Sequence, residues 1–294
     1  MAQIIGAIGT SHVPTIGVAY DKGRQSDPAW APLFDGYQPI ARWLAMKRPD
    51  ALVFFYNDHA TTFFFDLIPT FAIGVGEQFP IADEGGGPRN LPPIKGDVDL
   101  QCHIAESLVN DEFDLAIFQE KPIDHGCASP LPLLWPHEPD WPGTVVPIAV
   151  NVVQYPLPSA ERCYKLGQAV RRAIQSYPKD LKVVIVGTGG LSHQIHGERT
   201  GFNNEEWDYE FLHLLENDPD KLRQLTHAEF IRRGGAESAE QIMWLAMRGA
   251  MPAKIHRLHL NYYLATTTGM AAVLYEGVDE DSKRAGVSSS FAAT

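Results

Sequence analysis

Four histidines stand just behind short apolar runs, and that placement is the first sign of chemistry. Ile4 to Ile8 runs into Gly9-Thr10-Ser11-His12, Ala51 to Tyr56 into Asn57-Asp58-His59, and Val183 to Val186 into Gly187-Thr188-Gly189-Gly190-Leu191-Ser192-His193. His125 follows Leu115 to Phe118 after a short loop, in Asp124-His125-Gly126. If these runs are strands of an open α/β sheet, their carboxyl ends share the edge at which such sheets bind ligands. A lone histidine there is most often a hydrogen-bonded loop or core residue. Four at equivalent ends point to one shared site.

A carboxylate partner emerges from periodicity. The segment Ala236 to Arg248 reads as one amphipathic helix, with Ala236, Ala239, Met243 and Met247 on one side and Glu237, Gln241 and Arg248 on another. Glu240 falls on the apolar side beside Trp244, whereas Glu237 is expected to be solvated. A buried lone carboxylate costs several kcal/mol, so Glu240 needs a cation: a metal, or a core arginine. Two imidazoles and one carboxylate on one face of a metal make the facial triad of non-haem Fe(II) oxygenases, with positions left open for substrate and dioxygen. Zinc with the same ligands would instead make a hydrolase. A non-catalytic binding protein would have no use for a histidine beside such a centre.

These residues need a sheet to position them. The apolar runs, to which Val145 to Val153 belongs, alternate with helix-like segments around Trp43 to Met46, at Asp99 to Val109 and at Ser159 to Ser176. The alternation predicts an α/β fold, a single domain with a mixed central β-sheet flanked by helices and the site at the carboxyl ends of strands. Gly74 to Gly96 is a long Gly/Pro loop of the kind that carries function. Helices are expected at Asn204 to Leu215 and Asp220 to Leu225, followed by a capping box from Thr226 to Glu229. Ile255 to Tyr275 reads as helix-like. The catalytic domain is expected to span 1–278, with a C-terminal tail at 279–294.

The bulk numbers exclude several classes. The formal charge is -12, with no basic stripe, so nucleic acid is not an expected partner. No apolar run reaches the roughly 18 residues of a membrane span, and no signal-peptide pattern is visible, so a cytoplasmic location is expected. Cys102, Cys127 and Cys163 share no metal-type spacing. Any metal must be held by histidine and carboxylate.

At these residues the chain resembles the class III extradiol dioxygenases, the family of protocatechuate 4,5-dioxygenase β subunits and of gallate and 3-O-methylgallate dioxygenases. The resemblance rests on Thr10-Ser11-His12-Val13-Pro14, Tyr56-Asn57-Asp58-His59, Ala82-Asp83-Glu84-Gly85, Asp124-His125-Gly126, Gly187 to Gln194, and Glu240 followed by Met243-Trp244-Leu245. It implies Fe(II) held by His12, His59 and Glu240, an acid/base role for His193, a pocket role for His125, and a hydroxyl, Thr267, against the substrate carboxylate. It also implies extradiol opening of a catecholic benzoate with both atoms of O2 inserted. Gly85-Gly86-Gly87 and Gly201-Phe202-Asn203-Asn204 are similar to the gallate branch, whereas an ending without a fused helical extension is similar to the two-subunit protocatechuate enzymes. The family covers its pocket with a small helical element, so either a small α-type subunit (α2β2) or a β homodimer is expected.

Overall fold

The computed structural model describes residues 1–278; the expected tail, 279–294, lies outside the described residues. Ten strands form: β1 (Gln3–Thr10), β2 (Ala51–Tyr56), β3 (Phe71–Gly74), β4 (Gln78–Phe79), β5 (Ile94–Lys95), β6 (Ala116–Phe118), β7 (Thr144–Val150), β8 (Lys182–Thr188), β9 (Ile255–Tyr263) and β10 (Met270–Gly277). The helices are α1 (Pro14–Asp21), α2 (Ala31–Lys47), α3 (Val98–Asn110), α4 (His125–Ala128), α5 (Leu131–Leu134), α6 (Ala160–Ser176), α7 (Glu205–Asn217), α8 (Pro219–Arg223), α9 (His227–Gly234) and α10 (Gln241–Gly249). Eight strands make one mixed sheet in the order β6-β3-β7-β2-β8-β1-β10-β9, and β4 with β5 pairs apart from it within the Gly/Pro loop.

Every residue of β2 is buried. Val53 and Phe55 face a core shared with Ile104 of α3, Val170 of α6 and Trp244 of α10. Leu52, Phe54 and Tyr56 face the opposite core, with Phe34, Tyr37 and Ile40 of α2. Helices on both faces explain why the central strands read as unbroken apolar runs and not as alternating ones. The helix starts follow their sequence signals: Ser159 and Asn204 accept from backbone N–H groups in the first turn of α6 and α7, and Thr226 with Glu229 forms the capping box of α9.

Two segments depart from expectation. Ile255 to Tyr275 is not helical but an antiparallel pair, β9 and β10. The pattern misleads because β10 is buried on both faces whereas β9 is an edge strand lying over α2, where His259 Nε2 donates to the Gly36 carbonyl at 2.7 Å. Ala236 to Arg248 is not one α-helix either: Ala236–Glu240 is a 3₁₀ turn, and α10 begins only at Gln241. Ser238 Oγ bonds back to the carbonyls of Phe230 and Gly235 at 2.8 and 2.7 Å, which ties down that tighter turn.

Strands β1, β2, β7 and β8 run parallel where they pair, so their carboxyl ends lie along one edge. β10 runs antiparallel to β1, so its beginning reaches the same edge.

Candidate metal centre and active site

A cavity of about 540 Å³ at this edge contains His12, His59, His125, His193 and Glu240, but His125 does not arrive as expected. β6 is parallel to β3 and β3 antiparallel to β7, so β6 ends at the opposite edge and the connection 119–124 brings His125 back. Each imidazole has at least one ring nitrogen engaged by a partner. His12 Nδ1 lies 2.9 Å from Thr188 Oγ1, and that hydroxyl spends its proton on the Phe55 carbonyl at 3.3 Å. The ring must therefore donate from Nδ1 and keep a lone pair on Nε2. That Nε2 is buried, finds no hydrogen-bond partner among the described residues, and sits 3.3 Å from Glu240 Oε2. His59 gives both its backbone N–H and Nδ1 to Asp124 Oδ2, at 2.7 and 2.9 Å, and its Nε2 lies 2.9 Å from Asn57 Nδ2 and 3.8 Å from Glu240 Oε1. His193 Nδ1 donates to the Leu191 carbonyl at 2.9 Å, which leaves its Nε2 as an acceptor.

Glycine brings Glu240 in. Gly189 has φ of +142°, and a Cβ there would come within 2.9 Å of the Glu240 carbonyl oxygen. The next amide, Gly190 N–H, donates to Glu240 Oε2 at 2.6 Å. Burial alone would push the Glu240 carboxyl up, yet the electrostatic influence of the nearby His12 and His59 imidazoles holds it well below the usual range. Burial likewise pulls His12 down. For His59 burial also acts downward, but hydrogen bonds and charge from Asp124 and Glu240 outweigh it and hold the imidazolium up to about 10. The protein alone thus keeps a proton where a divalent cation would satisfy Glu240 and both Nε2 atoms.

The ligand atoms of His12, His59 and His125 also lie within 4.8 Å of one another. His59 and His125, however, are stacked, with centroids 3.8 Å apart and planes at 27°. A metal lies near the plane of each imidazole that binds it, and two nearly parallel planes meet far beyond bonding distance. His12 crosses His59 at 85°. His12, His59 and Glu240 are therefore the donors that converge, and two imidazoles with one carboxylate fit a divalent cation with open positions.

Of the six residues expected from sequence, five meet in this cavity and Thr267 does not. Thr267 is exposed and its carbonyl accepts from Asn203 Nδ2 at 2.8 Å, whereas Thr268 is buried and lines the wall. Glu237, expected in solvent, is half-buried at the rim, where its Oε2 accepts the Ile195 N–H at 3.2 Å. The supports Thr188, Asp124 and Asp208 were not singled out by sequence. An aspartate directly before a pocket histidine, as in Asp124-His125, is the one signal that could have found any of them.

The family described as the catalytic LigB subunit of aromatic ring-opening dioxygenase matches residues 6–275. The chain belongs to it. A gallate dioxygenase from Pseudomonas putida is 56% identical over 200 residues, which is 68% of this chain and 59% of that protein. A 2,3-dihydroxyphenylpropionate/2,3-dihydroxicinnamic acid 1,2-dioxygenase from Klebsiella pneumoniae is 34% identical over 63% of this chain and 55% of its own length. The LigB-family chain thus spans less than two thirds of the length of these relatives. An uncharacterised protein from Escherichia coli K12 shares the fold, with a TM-score of 0.58 over 92% of this chain and 99% of that one, at 15% identity. No helix among the described residues is long and apolar enough to cross a membrane.

Proposed function

We propose that this chain holds Fe(II) on His12, His59 and Glu240 and opens the ring of a carboxylated catechol, gallate or protocatechuate, by extradiol cleavage. The observation that carries the reading is the convergence of the His12 and His59 Nε2 atoms on the Glu240 carboxylate, beside a His193 whose own Nε2 is kept as an acceptor. Bound Fe(II) supplies the redox centre at which the electron-rich diol and dioxygen react. The protein's share is positioning and proton transfer. His193, with an acceptor nitrogen in the cavity wall, takes a phenolic proton from the diol and can return it later, work suited to an imidazole near neutral pH. Val13, Val152, Leu157 and Ile231 give the cavity an apolar wall that suits an aromatic ring. Thr268, which lines the cavity where Thr267 does not, is the hydroxyl this reading gives to the substrate carboxylate. Gallate is favoured by the 56% identity to the Pseudomonas enzyme and by the Gly85-Gly86-Gly87 loop.

Val153, Tyr155 and Ile195 line the cavity and yet remain 42, 60 and 50% exposed. A small α-type chain or a second copy of this one covers them in the working enzyme.

The test is oxygen consumption by protein reconstituted anaerobically with Fe(II), across gallate, protocatechuate, 3-O-methylgallate and catechol. Uptake of one O2 per ring opened is expected, and His193→Ala is expected to keep its iron while turning over about 10² to 10⁴ times more slowly. A zinc-loaded protein that hydrolyses substrate without oxygen uptake would replace the reading with a hydrolase on the same ligands.

A further inference from the structure

Glu84 stands on a glycine-rich surface loop that has little else to do with the cavity. Asp83 folds its carboxylate onto the amides of Gly85, Gly86 and Gly87 at 2.9, 3.2 and 2.9 Å, and a side chain added at any of these glycines would meet nothing within 4 Å. The loop therefore packs against no core here. Glu84 alone reaches inward. Its Oε2 accepts the backbone N–H of His125 at 3.0 Å and its Oε1 faces His125 Nδ1 at 2.5 Å. Among the described residues no other polar partner of Glu84 is found, so holding His125 is its one visible task.

A carboxylate can only accept, so the ring must donate to it from Nδ1, which leaves an Nε2 lone pair in the cavity wall. We infer that Glu84 is a positioning residue: it fixes His125 in the Nδ1–H tautomer and in one ring orientation, so that an acceptor and not a donor meets a hydroxyl of the bound diol. The inference rests on the dioxygenase reading for the identity of the diol, but the hold on the tautomer is a property of the chain itself.

The substitution Glu84→Gln discriminates sharply. An amide offers one acceptor and one donor; with the acceptor taken by the His125 N–H, the –NH2 faces Nδ1 and the ring proton must move to Nε2. Glu84→Asp keeps acceptor-only chemistry on a shorter arm. The readout is the long-range proton–nitrogen spectrum of the histidine side chains in ¹⁵N-labelled, metal-free protein, at a pH where the ring is neutral and with His125 assigned by its loss in His125→Gln. A protonated Nδ1 and bare Nε2 are expected in the wild type and in Glu84→Asp, and the reverse in Glu84→Gln.

In the Fe(II)-loaded protein Glu84→Gln is expected to keep its iron and its KM for the diol while kcat falls on the order of 10- to 100-fold, with most of the loss recovered in Glu84→Asp. The same His125 tautomer in wild type and Glu84→Gln would overturn the inference, as would an inverted tautomer with unchanged kcat. If the wild type consumes no oxygen with any diol, the dioxygenase reading falls, and the spectra still decide whether Glu84 sets the tautomer.

Discussion

Neighbouring residues of like chemistry divide sharply at this site. Glu240 and Glu237 are both glutamates of the same 3₁₀ turn, but Glu240 faces two imidazole nitrogens whereas Glu237 accepts one backbone N–H at the rim. On the proposed ligand set Glu240→Gln removes the one anionic ligand and is expected to abolish iron retention, measured as iron per chain after desalting; Glu237→Gln is expected to retain iron. Iron lost from the second variant and kept by the first would assign the carboxylate ligand wrongly. The threonines split in the same way. Thr268→Val is expected to weaken carboxylated catechols selectively by roughly 1.5–3 kcal/mol, the contribution of a hydrogen bond to a charged group, and to leave plain catechol almost unchanged. Thr267→Val, at an exposed position, is expected to do less; KM values for gallate and catechol in both variants check it, and a larger effect at Thr267 would return the role to that residue.

At the scale of elements, the loop that carries His193 is held by a buried acid on α7. Asp208, fully buried, accepts from Ser192 N–H and Oγ at 2.7 Å each and from Tyr262 OH at 2.9 Å. Desolvation raises its carboxyl from the ordinary 3.8 to about 6, against the lowering by these hydrogen bonds and by His193. For an acid raised in the folded state, the native protein binds more protons than the unfolded chain between those two values. Its contribution to stability therefore grows as pH falls from about 6 towards 4, by roughly 3 kcal/mol in all. Asn at this position cannot titrate. Between pH 7 and pH 4.5 the wild type is expected to gain stability relative to Asp208→Asn, measured by urea unfolding of both proteins. A difference that is flat with pH would mean that Asp208 titrates as in the unfolded chain, and one of opposite sign that its carboxyl is lowered; either would overturn the raised value.

For the whole molecule, the open question is what closes the cavity. Water that reaches the metal site would compete with the reactants, so the exposed Tyr155, Ile195 and Val153 at the mouth are a cost unless something covers them. Sedimentation of the purified chain, alone and with its coexpressed neighbours, is expected to show either a dimer or a complex with a small second chain, and activity is expected to follow that assembly. A fully active monomer would rule out both versions of the cover.

The sequence by itself determined the strands that run to the site edge, because helices on both faces of a parallel region leave unbroken apolar runs, and His12, His59 and His193 follow where those runs stop, whereas His125 follows a strand that ends at the opposite edge. It also selected Glu240, even though the segment is a 3₁₀ turn leading into α10, because burial among apolar neighbours survives a local change of pitch. Tertiary structure alone decided the rest. Whether β9 and β10 are strands depended on pairing with β1 and packing over α2, contacts remote in sequence that local periodicity does not encode. The ring tautomers depended on Thr188, Asp124 and Leu191, and the exclusion of His125 from the converging donors depended on the angle between two rings. Which of two adjacent threonines faces the cavity was likewise set by the turn into β10. Side-chain direction and hydrogen-bond partnership arise only once distant segments are brought within about 3 Å of one another.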